Sequence, residues 1–232
     1  MGGSSSSINS LVFPIPEHNP ENYDNSFSVY EGISYYETKR DSDKIIIFSH
    51  GNGSDIYQMR SYVDYLSSKL NIKVVCYDYP GYGFSENEPG EEACVNALKI
   101  MYRKYWRHQI ILMGHSLGTG VTINCVIKHG MSPDSIILIS PYKSIPRVVS
   151  DTQNFENLAL LLGTPSFNII SNIEDIRCPI KIFHGTHDGV ISLDHSKDIY
   201  EKIKHKKGND FVIMDDTGHN DILFKIDPKL FL

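Results

Sequence analysis

The chain has 232 residues, of which 41% are hydrophobic, and it carries a net charge of −6. This length suits one α/β domain of moderate size, and the negative charge gives no reason to expect a nucleic acid as a partner. The four cysteines form no C-x-x-C pair, no apolar run is long enough to span a bilayer, and the start lacks the pattern of a signal peptide. We therefore expect a cytoplasmic protein with reduced cysteines, with a single disulfide as the open alternative.

The first part of the chain differs in composition from the rest. Residues 1–25 are expected to form a flexible leader and a proline-containing arm, and residues 26–232 a single domain. Pro14, Pro16 and Pro20 favour an extended arm over a helix.

The leader contains one pattern that would change the relation of the protein to membranes. Gly2 follows the initiator methionine and Ser6 stands four residues later, which fits the N-myristoylation pattern. A plain linker or tag remnant is the competing interpretation. Because one myristoyl chain binds a bilayer only marginally, we expect membrane association, at most peripheral, only if Gly2 is acylated.

Apolar runs and amphipathic stripes alternate along the remaining chain. Residues 27–38 alternate aromatic and polar side chains, which predicts one or two antiparallel edge strands. Further strands are predicted at residues 44–48, 72–77, 109–113, 135–141, 179–183 and 211–214. Helices are predicted at residues 56–71, 91–106, 119–129 and 193–206, with a short closing helix through Phe224. This alternation predicts an α/β fold with a mostly parallel sheet and helices on both faces.

The stretch from residue 142 to residue 176 is the least regular. Its apolar patch, Leu158 to Leu162, predicts either a small flap over an open site or simple core packing.

The most informative stretch is the one around Ser116. A buried strand runs directly into Gly114-x-Ser116-x-Gly118, and a helix follows. Such a turn holds a serine in a strained conformation with its hydroxyl exposed, and a Cβ at either glycine would collide with the neighbouring strand or helix. The N–H of Leu117, at the start of the helix, is then free to stabilise an oxyanion. A purely structural turn is the competing interpretation.

A second glycine-rich loop follows the strand at residues 44–48. We expect the N–H of Asn52 to be a second oxyanion donor, supported by His50, Gly51 and Gly53. Phosphate binding is not favoured, since the Walker lysine is absent, and a plain turn is the alternative. We expect His50 to hold the loop by hydrogen bonds and not to act as a base.

Ser116, Asp188 and His219 each follow a predicted strand, so all three are expected at the same edge of the sheet. In this order the residues match a nucleophile, an acid that orients the imidazole, and a base. Three other acids lie too near His219 in sequence to orient it easily: Asp215, Asp216 and Asp221. A metal site that uses His184, His187 and Asp188 lacks a second ligand cluster, so we expect no metal and no cofactor.

From Ile45 onward the chain resembles the α/β-hydrolase superfamily, and it is most similar to the small serine hydrolases that include protein depalmitoylases. The motifs that carry the resemblance are His50-Gly51-Asn52-Gly53, the run from Tyr77 to Ser85, Gly114-His115-Ser116-Leu117-Gly118, His184-Gly185-Thr186-His187-Asp188 and Gly218-His219-Asn220-Asp221-Ile222. The arm, Leu11-Val12-Phe13-Pro14-Ile15-Pro16, also resembles the segment that precedes the depalmitoylase domain. Those enzymes carry a lipidated N-terminal cysteine cluster, whereas no cysteine precedes Cys76 here.

The resemblance implies a serine hydrolase that cleaves ester or thioester bonds, with S-acylated protein as the suggested substrate. A carboxylesterase or lysophospholipase is the alternative within the enzyme class. A non-catalytic binding module on the same fold is the alternative from another class.

Overall fold

A computed structural model describes residues 12–17, 21, 23–151 and 167–232 of the protein, and its eight strands form one sheet. In chain order the strands are β1 (Phe27–Tyr30), β2 (Ile33–Glu37), β3 (Lys44–Ser49), β4 (Lys73–Tyr77), β5 (Gln109–His115), β6 (Ser135–Ile139), β7 (Ile180–Gly185) and β8 (Asp210–Met214). They lie in the order β1-β2-β4-β3-β5-β6-β7-β8. The pairs β1–β2 and β2–β4 are antiparallel and all other pairs are parallel. The predicted parallel sheet with antiparallel edge strands is confirmed.

Six α-helices are described. They are α1 (Ile56–Leu70), α2 (Glu91–Lys104), α3 (Leu117–His129), α4 (Ile145–Asp151), α5 (Leu193–Ile203) and α6 (Ile222–Lys225). Short 3₁₀ turns follow at Ile173–Asp175 and Pro228–Phe231.

Each face of the sheet packs against its own set of helices. On β3, Ile45 and Ile47 belong to one buried cluster, which also contains side chains of α2, α3 and α5. The alternate residues Ile46 and Phe48 belong to a second cluster, which contains side chains of α1 and α6. Because successive side chains of a strand point to opposite faces, a strand covered on both sides is apolar throughout, as β3 is.

Several helix boundaries differ from the sequence prediction, and α1 and α2 end at Leu70 and Lys104, one and two residues earlier than predicted. Helix α3 begins at Leu117, two residues earlier than predicted, because the turn at Ser116 leads directly into helical backbone. Helix α5 ends at Ile203 and not at Lys206. The side-chain amide of Asn209 donates to the carbonyl oxygen of Ile203 at 2.9 Å and so satisfies the end of the helix.

The described part of the arm packs on the domain. Phe13 is fully buried, and its ring meets the ring of Phe167 edge to face, with centroids 6.0 Å apart. All four cysteines carry free thiols. Within the described ranges, no helix is long and apolar enough to cross a bilayer. The leader with Gly2 and the patch Leu158 to Leu162 lie outside the described residues.

Candidate active site

The turn between β5 and α3 places Ser116 at the carboxyl edge of the sheet. Its backbone adopts φ 52° and ψ −119°, a strained region for a residue with a side chain. Its N–H donates to the carbonyl oxygen of Ile139 on β6 at 3.0 Å. A Cβ on Gly114 would lie 2.5 Å from the carbonyl oxygen of Gly118, and one on Gly118 would collide with the carbonyl of Ser49. Glycine is therefore required at both positions for this close packing.

Tertiary structure brings Ser116, His219 and Asp188 into one hydrogen-bonded chain. Nδ1 of His219 lies 2.7 Å from Oδ2 of Asp188, and Nε2 of His219 lies 3.0 Å from Oγ of Ser116. Because a carboxylate can only accept, we assign the imidazole proton to Nδ1, which leaves Nε2 free to accept the proton of the serine hydroxyl. The carboxylate side chain is fully buried and the imidazole is only 9% exposed. This arrangement can deprotonate the serine as it attacks an electrophile.

The Asp188 carboxylate is held from several sides. Its Oδ1 accepts the N–H groups of Val190 and Ile191 at 2.9 and 2.8 Å. Burial raises the pKa of this carboxyl, but hydrogen bonds from His184, His219 and the Ile191 N–H outweigh burial and hold the pKa well below its usual range. The group is therefore a carboxylate at neutral pH.

His184, which the sequence suggested as a possible metal ligand and as part of a family motif, contacts Asp188, and that contact was not predicted. This imidazole is fully buried, and its Nε2 lies 2.9 Å from the carbonyl oxygen of Ile191 and 3.3 Å from Oδ2 of Asp188. Its Nδ1 lies 2.6 Å from Oγ of Ser196 on α5. With Ser196 donating to Nδ1, the proton of His184 is on Nε2 and faces the carboxylate. The spacing of four residues from Asp188, at the end of a strand, is the only signal in the sequence.

The loop after β3 passes beside Ser116. A Cβ on Gly51 would lie 3.0 Å from Nδ1 of His115 and 3.7 Å from Cβ of Ser116. Among the described residues, neither the N–H of Leu117 nor the N–H of Asn52 has a hydrogen-bond acceptor. Unpaired N–H groups beside an attacking serine are suited to hold a tetrahedral oxyanion.

His50 is a buried residue of this loop. Its Nδ1 lies 2.8 Å from the carbonyl oxygen of Gly51, and its own carbonyl oxygen accepts the hydroxyl of Tyr79 at 2.6 Å. Burial lowers the pKa of His50 to about 4, so that the ring is neutral near pH 7. The rings of Tyr79 and Tyr82 are fully buried, and they pack against His50 with centroids 4.3 and 6.0 Å away.

His115 lies inside the Gly114–Gly118 turn, and the sequence predicted no role for its side chain. Its Nε2 lies 3.1 Å from the carbonyl oxygen of His219, and burial together with the nearby His219 lowers its pKa to about 3. The ring is therefore neutral, and it donates to the backbone of the loop that carries His219.

Two other acids of the loop that carries His219 have partners other than its imidazole. Asp221 accepts the N–H of Gly218 at 2.7 Å and pairs with Lys225. His187 is exposed, and its nearest acid, Asp216, is 3.8 Å away. In the described ranges, no three His, Cys, Asp or Glu side chains are grouped so as to hold a metal ion.

Sequence comparisons identify the family of this chain. The family model described as serine aminopeptidase, S33 matches residues 40–168. The mimivirus protein named as an alpha/beta hydrolase, L404 of Acanthamoeba polyphaga mimivirus, is 42% identical over 79% of this chain and 69% of its own length. The chain belongs to the α/β hydrolases.

Three further proteins are similar to this chain in sequence or in fold. Human alpha/beta hydrolase domain-containing protein 17C is 31% identical over 82% of this chain, and the match spans 57% of the human protein. Among solved structures, mouse alpha/beta hydrolase domain-containing protein 10 matches 90% of this chain and 95% of its own with a TM-score of 0.67 and 18% identity. A hydrolase of Agrobacterium vitis S4 matches 85% of this chain and 91% of its own with a TM-score of 0.68 and 14% identity. The structural matches show the shared fold.

Proposed function

We propose that this α/β hydrolase is a serine hydrolase that cleaves esters or thioesters through an acyl-enzyme. The observation that carries the proposal is the continuous chain from Ser116 through His219 to Asp188, with contacts of 3.0 and 2.7 Å. The nucleophile and base lie within hydrogen-bond distance, and a third group orients the base, as nucleophilic catalysis requires.

In the first half of the reaction, Oγ of Ser116 forms a bond to the acyl carbonyl carbon while its proton passes to Nε2 of His219. The negative charge that develops on the carbonyl oxygen is stabilised by hydrogen bonds that the N–H groups of Leu117 and Asn52 donate. When the tetrahedral intermediate collapses, the bond to the alcohol or thiol breaks and His219 returns the proton to that leaving group. Asp188 holds the imidazole in the required tautomer and stabilises the imidazolium.

In the second half, water replaces the leaving group. His219 takes a proton from the water as its oxygen bonds to the acyl carbon of the ester on Ser116. The collapse of this intermediate releases the carboxylic acid, and the proton returns to Oγ of Ser116. The enzyme is regenerated without a cofactor.

We propose an S-acylated protein as the substrate, with a fatty acyl thioester as the bond that is cleaved. The proposal is supported by the resemblance of the chain's motifs to those of protein depalmitoylases, and by the 31% identity to protein 17C. Since oxygen esters and thioesters differ only in the leaving atom, the same residues would serve a carboxylesterase or lysophospholipase. The family model bears the name of an aminopeptidase, so an amide belongs in the substrate test.

The proposal is tested by intact-mass measurement after labelling with a fluorophosphonate, for the wild type and for Ser116→Ala. We expect one adduct on the wild type and none on the variant, with equal melting temperatures. A panel of a palmitoyl-thioester peptide, a p-nitrophenyl ester and an aminoacyl anilide then identifies the bond that is cleaved. A folded wild type without an adduct would contradict the assignment and favour a binding module.

A further inference from the structure

We infer that the N-terminal arm is a working part of this site, in which the carbonyl of Val12 holds the side chain of Asn52 and thereby aims the Asn52 N–H at the oxyanion. The inference rests on the proposed function. It assigns a positioning role to a segment that lies outside the matched region of the family model, which begins at residue 40.

Within the loop, one bond holds the peptide group that carries this N–H: the carbonyl oxygen of Gly51, in the same peptide group, lies 2.8 Å from Nδ1 of His50. Asn52 is exposed and lies between two glycines, Gly51 and Gly53, and Gly53 has φ +65°. Because glycine adopts many backbone conformations at little cost, the direction of the Asn52 N–H also depends on how the Asn52 side chain is held.

The side chain of Asn52 is held chiefly by the arm. Its Nδ2 donates to the carbonyl oxygen of Val12 at 2.8 Å. Its Oδ1 accepts the N–H of the adjacent Gly53 at 3.1 Å and the hydroxyl of Tyr82 at 3.4 Å, close to the upper limit for a hydrogen bond. Of these three hydrogen bonds, the one to Val12 is the shortest, and it connects the Asn52 side chain to the arm.

The arm is firmly anchored where it makes this bond. Val12 is 7% exposed and Phe13 is fully buried, and both belong to the same buried cluster as Leu117, which carries the other oxyanion donor. The next residue, Pro14, crosses above the loop, since a Cβ on Gly53 would lie 3.7 Å from its Cγ. By contrast Ile15 is 54% exposed and offers a control position in the same segment.

The inference predicts a defect in turnover and not in substrate binding. Asn52→Ala keeps the peptide N–H but removes the bond to Val12. Phe13→Ala removes the buried ring that anchors the arm and leaves the residues of the loop unchanged. We expect each variant to lower kcat, and the rate of labelling by a fluorophosphonate, about tenfold or more. This is less than the roughly 10²–10³ typical of losing a donor outright. KM should change less than about threefold, and Ile15→Ala should behave as the wild type.

The double variant decides whether the two residues act through one link. If they do, the double variant Asn52→Ala/Phe13→Ala has a kcat at most about twofold below that of the slower single variant. Multiplying effects, or single variants with kcat within about twofold of the wild type, would overturn the inference. Should Phe13→Ala fail to fold, Phe13→Leu replaces it, with a smaller loss of kcat that disappears in the Asn52→Ala background. Failure of the wild type to label would instead count against the proposed function.

Discussion

Two buried aspartates at the same edge of the sheet have carboxyl pKa values shifted in opposite directions. Asp188 follows β7 and Asp78 follows β4, and the carboxyl side chain of each is buried. Hydrogen bonds from two histidines and a backbone N–H hold the pKa of Asp188 well below its usual range. Burial raises the pKa of Asp78 to about 7, because its partners do not compensate for the loss of water.

The partners of Asp78 explain the difference. Its Oδ1 accepts the N–H of Ile56, the first residue of α1, at 2.9 Å, and its Oδ2 accepts the hydroxyl of Ser34 at 2.8 Å and that of Tyr23 at 3.5 Å. All of these donors are neutral, and the nearby Asp55 opposes ionisation. The comparison shows that burial alone does not determine the state of a carboxyl at this edge. Asp78 joins α1, β2 and the arm, whereas the proposed role of Asp188 requires a charge.

The largest expected effect separates the two aspartates by activity. Asp188→Asn should lower kcat about 10⁴-fold, since an amide can hold the imidazole in the wrong tautomer and carries no charge to stabilise the imidazolium. Asp78→Asn should leave kcat within about tenfold of the wild type. Hydrolysis of a p-nitrophenyl ester by both variants checks this, and equal losses would remove the distinction.

The second largest effect is expected on removing His184, which donates a hydrogen bond to the Asp188 carboxylate. His184→Leu removes the Nε2–H that faces the carboxylate, so the carboxylate is less firmly placed and its pKa rises. Misplacement of a catalytic group by about 1 Å can cost about 10² in rate, and we expect a loss of kcat/KM of about tenfold to a hundredfold.

The matched variant His184→Gln supplies an amide N–H near the same position. It should recover most of the activity lost in His184→Leu. If the two variants are equally impaired at equal melting temperature, His184 acts by filling space and not by hydrogen bonding.

The smallest effect separates the aspartates by the pH dependence of stability. Between about pH 4 and pH 7 folded Asp78 keeps a proton that the unfolded chain has released, so the free energy of unfolding falls as the pH rises. The slope is at most roughly 1.4 kcal/mol per pH unit. The lowered pKa of Asp188 changes the free energy of unfolding in the opposite direction with pH. Its stabilising contribution is present above the unfolded pKa of about 3.9 and is lost at lower pH.

Urea unfolding at several pH values from 5 to 8 measures this difference. Asp78→Asn should show a smaller fall in the free energy of unfolding over that range than the wild type. Asp188→Asn should keep the fall seen in the wild type. An unchanged slope in Asp78→Asn would mean that Asp78 is ionised throughout.

The sequence was sufficient to predict the class of fold. A strand such as β3, with Ile45, Ile46, Ile47 and Phe48 in succession, is apolar because both of its faces are covered, and that pattern is visible in one dimension. The Gly114-x-Ser116-x-Gly118 turn was equally visible, since only glycine tolerates the contacts on either side of the serine. The order of Ser116, Asp188 and His219 then placed three groups at the same edge.

Tertiary structure decided the contacts that join residues distant in sequence. The bond from His184 to Ser196 and the bond from Asn52 to Val12, 40 positions earlier, follow no local period. The same holds for Asp78 and Asp188, which look alike in sequence as single aspartates after buried strands. Hydrogen bonding and charge at a buried site depend on which donors the fold brings within about 3 Å, and no short-range pattern encodes that distance.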